Sequence, residues 1–223
     1  MDEGDDALLT LTGAQVLYVH GDNIYLRDAS GSLLLSGTNL KVSRGDVLNG
    51  SILGRLSHGN RMPQLTPTEG ESEVGGVTVS SGETPLPTEV FGWDLTADRY
   101  GDMVLVRGLT LVRDGGVFAV IGDRRVRLWN MFQIKSPKIS LPTNISGKFF
   151  DVTAVYGTDV VDGQVIDELY LLQSPVEGED PDAITAPLAG KPAPTGIYNL
   201  SGQRVGPHFR GIVVEDGRKV LRK

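Results

Sequence analysis

The chain has 223 residues, 39% of them apolar and 22% charged, with 29 glycines, 12 prolines and a formal net charge of −7 at pH 7. This is a globular, turn-rich composition for one large domain or two small ones, and its acidic balance disfavours non-specific attraction to phosphate backbones. With no cysteine there are no disulfides or thiolate metal sites, and no run of about 18 apolar residues exists to span a membrane as a helix.

After the acidic lead-in DEGDD, the stretch LLTLTGAQVLYV (8–19) predicts a strand with a glycine, Gly13, at its centre. NIYLRD and SLLLSG alternate on either side of Ala29-Ser30-Gly31 and predict a hairpin. GTNLKVSRGD reads as a connector with one helical turn. DVLNGSILGRLS predicts a long strand that Gly50 and Gly54 bend, and RMPQLTPT a short one ending at Pro67. Residues 67–92 read as a polar and proline-rich connection that partly joins the first sheet through a strand at Gly76 to Ser80.

From Met103 the order recurs. MVLVRGLTLV is again a strand with a central glycine, GVFAVIG and RRVRLWN form a hairpin around Gly122-Asp123, and FQIKSPKISLPTN is a connector. NISGKFFDVTAVYG is a long strand, and DELYLLQS closes the unit. The glycine pairs Gly13/Gly108 and Gly50/Gly147 lie 95 and 97 residues apart (13 to 108, 50 to 147), which suggests a tandem repeat. No amphipathic helix longer than about ten residues is evident. The expected fold is all-β, with two tandem five-stranded OB-like Greek-key barrels and a C-terminal β-hairpin segment; a single β-sandwich is the alternative. The bent first strand favours barrels, because a small barrel needs its first strand coiled to pair on both sides. The expected divisions are 7–90 for the first barrel, 91–175 for the second, 176–195 for a proline-rich acidic linker, and 196–223 for a basic hairpin carrying six Lys or Arg against two acids.

VLYVHGDNIYLRDASGSLLLSGTNLKVSRGDVLNGSILGRL resembles OB-fold domains of exported Bacteroidetes proteins over about residues 8–66, in the pattern "IYL-DASG-LLL-G" followed by "GD-LNGSI-G-L". Residues 103–173 resemble the second unit of such tandems more weakly. GIYNLSGQRV…RGIVVEDGRKVLRK (196–223) resembles a C-terminal segment found on many exported Bacteroidetes proteins, with Val213 in place of the usual aromatic and Asp216 in place of Asn. The resemblance implies an exported, surface-associated or extracellular protein. MDEGDDALLT has neither a basic region nor an apolar core, so export would need a leader outside this sequence. By its own pattern the tail equally suits a hairpin docked on a barrel, since Ile197, Tyr198, Ile212 and Val214 need burial.

Signals for catalysis are absent. His20, His58 and His208 are not at metal-ligand spacing, and the first two fall in the predicted turns YVHGDN and SHGNR. There is no GxSxG, P-loop or HExxH, and the acidic runs DEGDD and EGEDPD lack EF-hand spacing. No catalytic residue, metal or cofactor is expected. Binding fits better, because OB-folds recognise ligands on the face of strands two and three. In RRVRLWN, Val126 and Leu128 should face the core, leaving Arg125, Arg127 and Trp129 outside. In NIYLRD, Ile24 and Leu26 should face in, with Tyr25 and Arg27 outside. Guanidinium groups beside an aromatic ring suit stacking on a base or a sugar. The same residues suit structural roles: Trp129 covering a barrel end or an inter-barrel contact, the arginines pairing with carboxylates across the strand, and Trp93 anchoring the two units. The expectation is a non-enzymatic binding or adhesion-type module for an extracellular glycan or protein. The alternative is single-stranded nucleic acid binding, which the net charge disfavours.

Overall fold

The computed structural model describes residues 6–57, 61–68, 76–181, 197–199, 204–206, 210–215 and 218–222. His58, His208 and most of the expected linker lie outside the described residues. The chain divides into two compact units, Met1–Pro181 and Asp182–Lys223.

The first unit holds two closed barrels with extra strands. In the first barrel, β1 (Asp6–His20), β2 (Asn23–Asp28), β3 (Gly31–Leu35), β4 (Val47–Ser57) and β5 (Gln64–Pro67) run in the order β1-β2-β3-β5-β4, and β4 pairs back onto β1. Only β3 and β5 are parallel in this ring, the arrangement of an OB-like Greek key. The strand β6 (Val77–Ser80) adds to β4 outside the ring, so the crossing segment does join the first sheet. Next, β7 (Thr88–Phe91) opens the second sheet by pairing parallel with β8 (Met103–Arg113). Two single-turn 3-10 helices, Gly92–Asp94 and Ala97–Arg99, separate these strands. The second ring is β8, β9 (Val117–Ile121), β10 (Arg124–Trp129), β12 (Gln164–Leu171) and β11 (Phe149–Val161), again with one parallel pair, β10 and β12. A last short strand, β13 (Val176–Gly178), extends β11. The second sheet therefore runs from Thr88 to Gly178, and its closed ring from Met103 to Leu171.

Each first strand bends at a glycine with a left-handed backbone, φ 63° at Gly13 and 61° at Gly108. At each bend the ladder slips, and the freed N–H donates to a side chain of the fourth strand: Gly13 to Asn49 Oδ1 at 2.7 Å, Gly108 to Asp151 Oδ1 at 3.0 Å. Asn49 and Asp151 are thus equivalent, which corrects the expected match of Gly50 with Gly147. The counterpart of Gly147 is Gly45, in the turn just before the fourth strand. Gly50 serves another purpose, since the Gly76 carbonyl of the chain entering β6 occupies the place of its missing Cβ. The connector from β3 to β4 has no helical turn; Leu40 and Val42 pack from it against the first core.

Leu11, Val16, Ile24, Leu26, Leu35, Leu48, Ile52 and Leu65 fill the first barrel. The second core is larger because it takes in Leu17, Tyr25, Leu34 and Met62 from the outside of the first barrel. Phe132, from the connector between β10 and β11, seats among Tyr18, Tyr25 and Tyr170 with ring centroids 4.4, 5.7 and 5.9 Å away. Burying each large apolar side chain is worth about 1.5–3 kcal/mol, so this joint is a substantial part of the fold.

In the second unit, β14 (Ile197–Asn199), β15 (Arg204–Val205), β16 (Gly211–Glu215) and β17 (Arg218–Arg222) form an antiparallel sheet in the order β15-β14-β16-β17. The expected hairpin is the β16–β17 pair, extended by two more strands.

Candidate ligand-binding face

Alternation along β10 sets the site. Val126 and Leu128 are buried in the second core, and Arg125, Arg127 and Trp129 project outward. Phe118 of β9 lies opposite Arg127 on one side and Glu168 of β12 on the other; Trp129 lies opposite Tyr170. The Arg127 guanidinium sits over the Trp129 ring, 4.7 Å from its centroid, and the indole is 46% exposed. A cation over an indole face helps hold the ring in place.

Among the described residues, the three arginines of β10 and Arg107 of β8 are each matched by acid. Arg127 pairs with Glu168 and, at 3.5 Å, with Asp159; Arg125 pairs with Asp114 at 2.7 Å. Arg124 reaches Asp167 at 2.9 Å and donates to the Leu95 carbonyl. Arg107 bridges Glu89 and Asp151 at 2.8 and 2.5 Å. Glu168 is fully buried, and burial pushes its carboxyl up to about 7 against the pull of Arg127. Its Oε2 and the Arg127 Nε are buried without a hydrogen-bond partner among the described residues.

The expected patch on the first barrel is corrected. Tyr25 and Arg27 do point away from the first core, but toward the second barrel. Tyr25 is 3% exposed, and burial raises its phenol well above the usual range. The Arg27 guanidinium contacts Asp102 of the second barrel and donates to Ser32 Oγ at 3.2 Å. The face that would have carried a ligand is spent on joining the barrels. His20 lies in the same joint, 5.3 Å from Phe132. Trp93 does not anchor the barrels: it is 60% exposed and stacks on Phe91 at 4.7 Å and 15°.

Sequence reasoning placed Arg125, Arg127 and Trp129 on the outer side of β10, where the structure has them, and missed Glu168, Asp102 and Phe132. A signal for the joint existed. SLLLSG carries three leucines in a row, so one of them must face away from the barrel and still be covered.

A separate pocket of about 180 Å³ opens in the first barrel, floored by Leu11, Ala14 and Leu26 and rimmed by Asp28, Ser30 and Ser32. Its Asp28 carboxylate already accepts from the Ser30 N–H and hydroxyl, at 2.8 and 2.5 Å, which lowers its pKa. Among the described residues no group of three or more His, Asp or Glu is placed to hold a metal ion, and no helix is long and apolar enough to cross a membrane. Comparison with protein-family models and with curated proteins finds no match.

Proposed function

We propose that this chain is a non-enzymatic binding module of an exported or surface-associated bacterial protein, and that the β9–β10 face of its second barrel takes a neutral glycan. The observation that carries the reading is the exposed Trp129 indole, held by Arg127 on a face where Arg125 and Arg127 are both matched by acids. An indole face packs against the C–H face of a sugar ring, while paired arginine and carboxylate groups offer donors and acceptors to hydroxyls. A nucleic acid would need unpaired cations to displace counterions from phosphate, and Arg125 and Arg127 are already paired with Asp114 and Asp159. The resemblance of residues 8–66 and 196–223 to exported Bacteroidetes proteins supports the location.

Tryptophan fluorescence during titration with neutral oligosaccharides and with oligo-dT, at low and moderate salt, tests this on the wild type and Trp129→Ala. The expected result is a saturable, salt-insensitive change with an oligosaccharide that Trp129→Ala abolishes. A change with oligo-dT that fades steeply with salt would make the module a nucleic-acid binder. No change with either would leave a protein ligand or a packing role for Trp129.

A further inference from the structure

Trp93 and its backing ring Phe91 are unexplained by the fold and unused by the site. They lie outside the five-strand ring, on β7 and the turn after it. Strand register places them. Both β7 and β9 pair with the same edge of β8, β7 along Val104 to Arg107 and β9 along Thr110 to Arg113. The end of β7 therefore meets the end of β9, and Gly92 approaches Ile121 and Leu109 so closely that an added methyl would sit 3.1–3.3 Å from their side chains. Ile121 in turn pairs with Arg124, the first residue of β10. On β7, Val90 is buried, and Phe91 and Glu89 point outward with Arg107. The Phe91–Trp93 stack thus stands at the start of β10 and Trp129 at its end, five residues or about 17 Å along the strand. Val120, Phe118, Arg125 and Arg127 lie on the outer side between them.

We infer that the ligand track runs the length of β10, from the Phe91–Trp93 stack to Trp129, and that the ligand is a linear oligosaccharide of several sugar units rather than a single terminal sugar. This rests on the reading of Trp129 as a glycan platform. Each end offers an exposed indole supported on one face, by Phe91 or by Arg127. The cations along the track are paired, so a neutral chain meets no unmatched charge there.

The test uses the full chain and two probe series, cello- and laminari-oligosaccharides from dimer to hexamer, with calorimetric titration of wild type, Trp129→Ala, Trp93→Ala and Phe91→Ala. In at least one series, affinity should rise with length. Trp129→Ala should abolish binding at every length. Trp93→Ala should leave the dimer unchanged and lower hexamer affinity by about tenfold, the size of one moderate contact residue, and Phe91→Ala should do the same more weakly. Trp93 is exposed, so its truncation should leave the thermal transition in place, which the same samples can show. Length-independent affinity, or a hexamer bound equally by wild type and Trp93→Ala, overturns the track and leaves the Trp129 platform standing. No binding in either series overturns both. Concentration-dependent self-association that Trp93→Ala removes would instead assign the Phe91–Trp93 stack to contact between copies of the chain and also overturn the track.

Discussion

Glu168 shows how one side chain ties stability to the chemistry of the face. It is an acid sealed beneath an arginine, on the strand next to Trp129. Its carboxyl ordinarily titrates at 4.5 and here at about 7. Below pH 4.5 it is protonated whether the chain is folded or not, and its contribution is fully present. As pH rises from 4.5 to 7 the unfolded chain releases the proton while the folded chain retains it, so the stability is lost over that window. The loss amounts to up to about 3 kcal/mol. Urea unfolding of wild type and Glu168→Gln between pH 4 and 8 should show the wild type losing ground to the variant over that span. A constant difference would mean that Arg127 holds Glu168 ionised throughout. None of this was legible in DELYLLQS, where Glu168 reads as an ordinary surface residue. Its burial depends on a parallel neighbour about 40 residues earlier, Arg127, and on Trp129 lying over that arginine.

At the scale of strands, much of the fold was written locally. Alternation and turn residues located both hairpins, and the central glycines marked the bends that let each first strand pair on both sides. The two bends nevertheless differ in their surroundings. A methyl at Gly13 meets nothing within 4 Å, whereas one at Gly108 falls 2.5 Å from Pro181 Cδ and 3.0 Å from the Glu179 carbonyl. Gly13→Ala should therefore cost only the left-handed backbone, about 1–2 kcal/mol, and Gly108→Ala about 2–5 kcal/mol because the chain after β13 must also shift. Equal losses in denaturant unfolding would contradict this account. The extra strands were harder to read. β7 and β13 are only four and three residues long, and only the partner strand, β8 or β11, gives them a lattice to join. The mistaken match of Gly50 with Gly147 has a similar origin. The second connector is longer than the first, so equal spacing in sequence does not mean equal place in the barrel.

For the whole molecule, the two barrels behave as one body because the outer face of β2 and β3 is part of the second core. Phe132 is the pivot, 4% exposed and surrounded by tyrosines of both barrels. Phe132→Ala should cost about 3–5 kcal/mol and loosen the coupling. Calorimetry should then show the transition shared by the two barrels in the wild type split into two. A single transition at an unchanged temperature would show that the joint contributes little. The same joint explains why half of the anticipated site was not available. Strand alternation says which side of β2 a residue faces, but not whether another barrel will cover that side. FQIKSPK carries no pattern that marks Phe132 as the residue that does so.

The joint also has a temporal side. The first barrel can close once about 80 residues have left the ribosome, yet Leu17, Tyr25 and Leu34 wait for a partner surface built around Phe132 and Tyr170. At synthesis rates of about 5–20 residues per second, a hundred or so residues of delay is on the order of 5–20 s. During that interval a folded half-molecule displays an adhesive apolar face to every other nascent chain. The first barrel made alone should therefore aggregate, and replacing Leu17 and Leu34 by polar residues should raise its soluble yield.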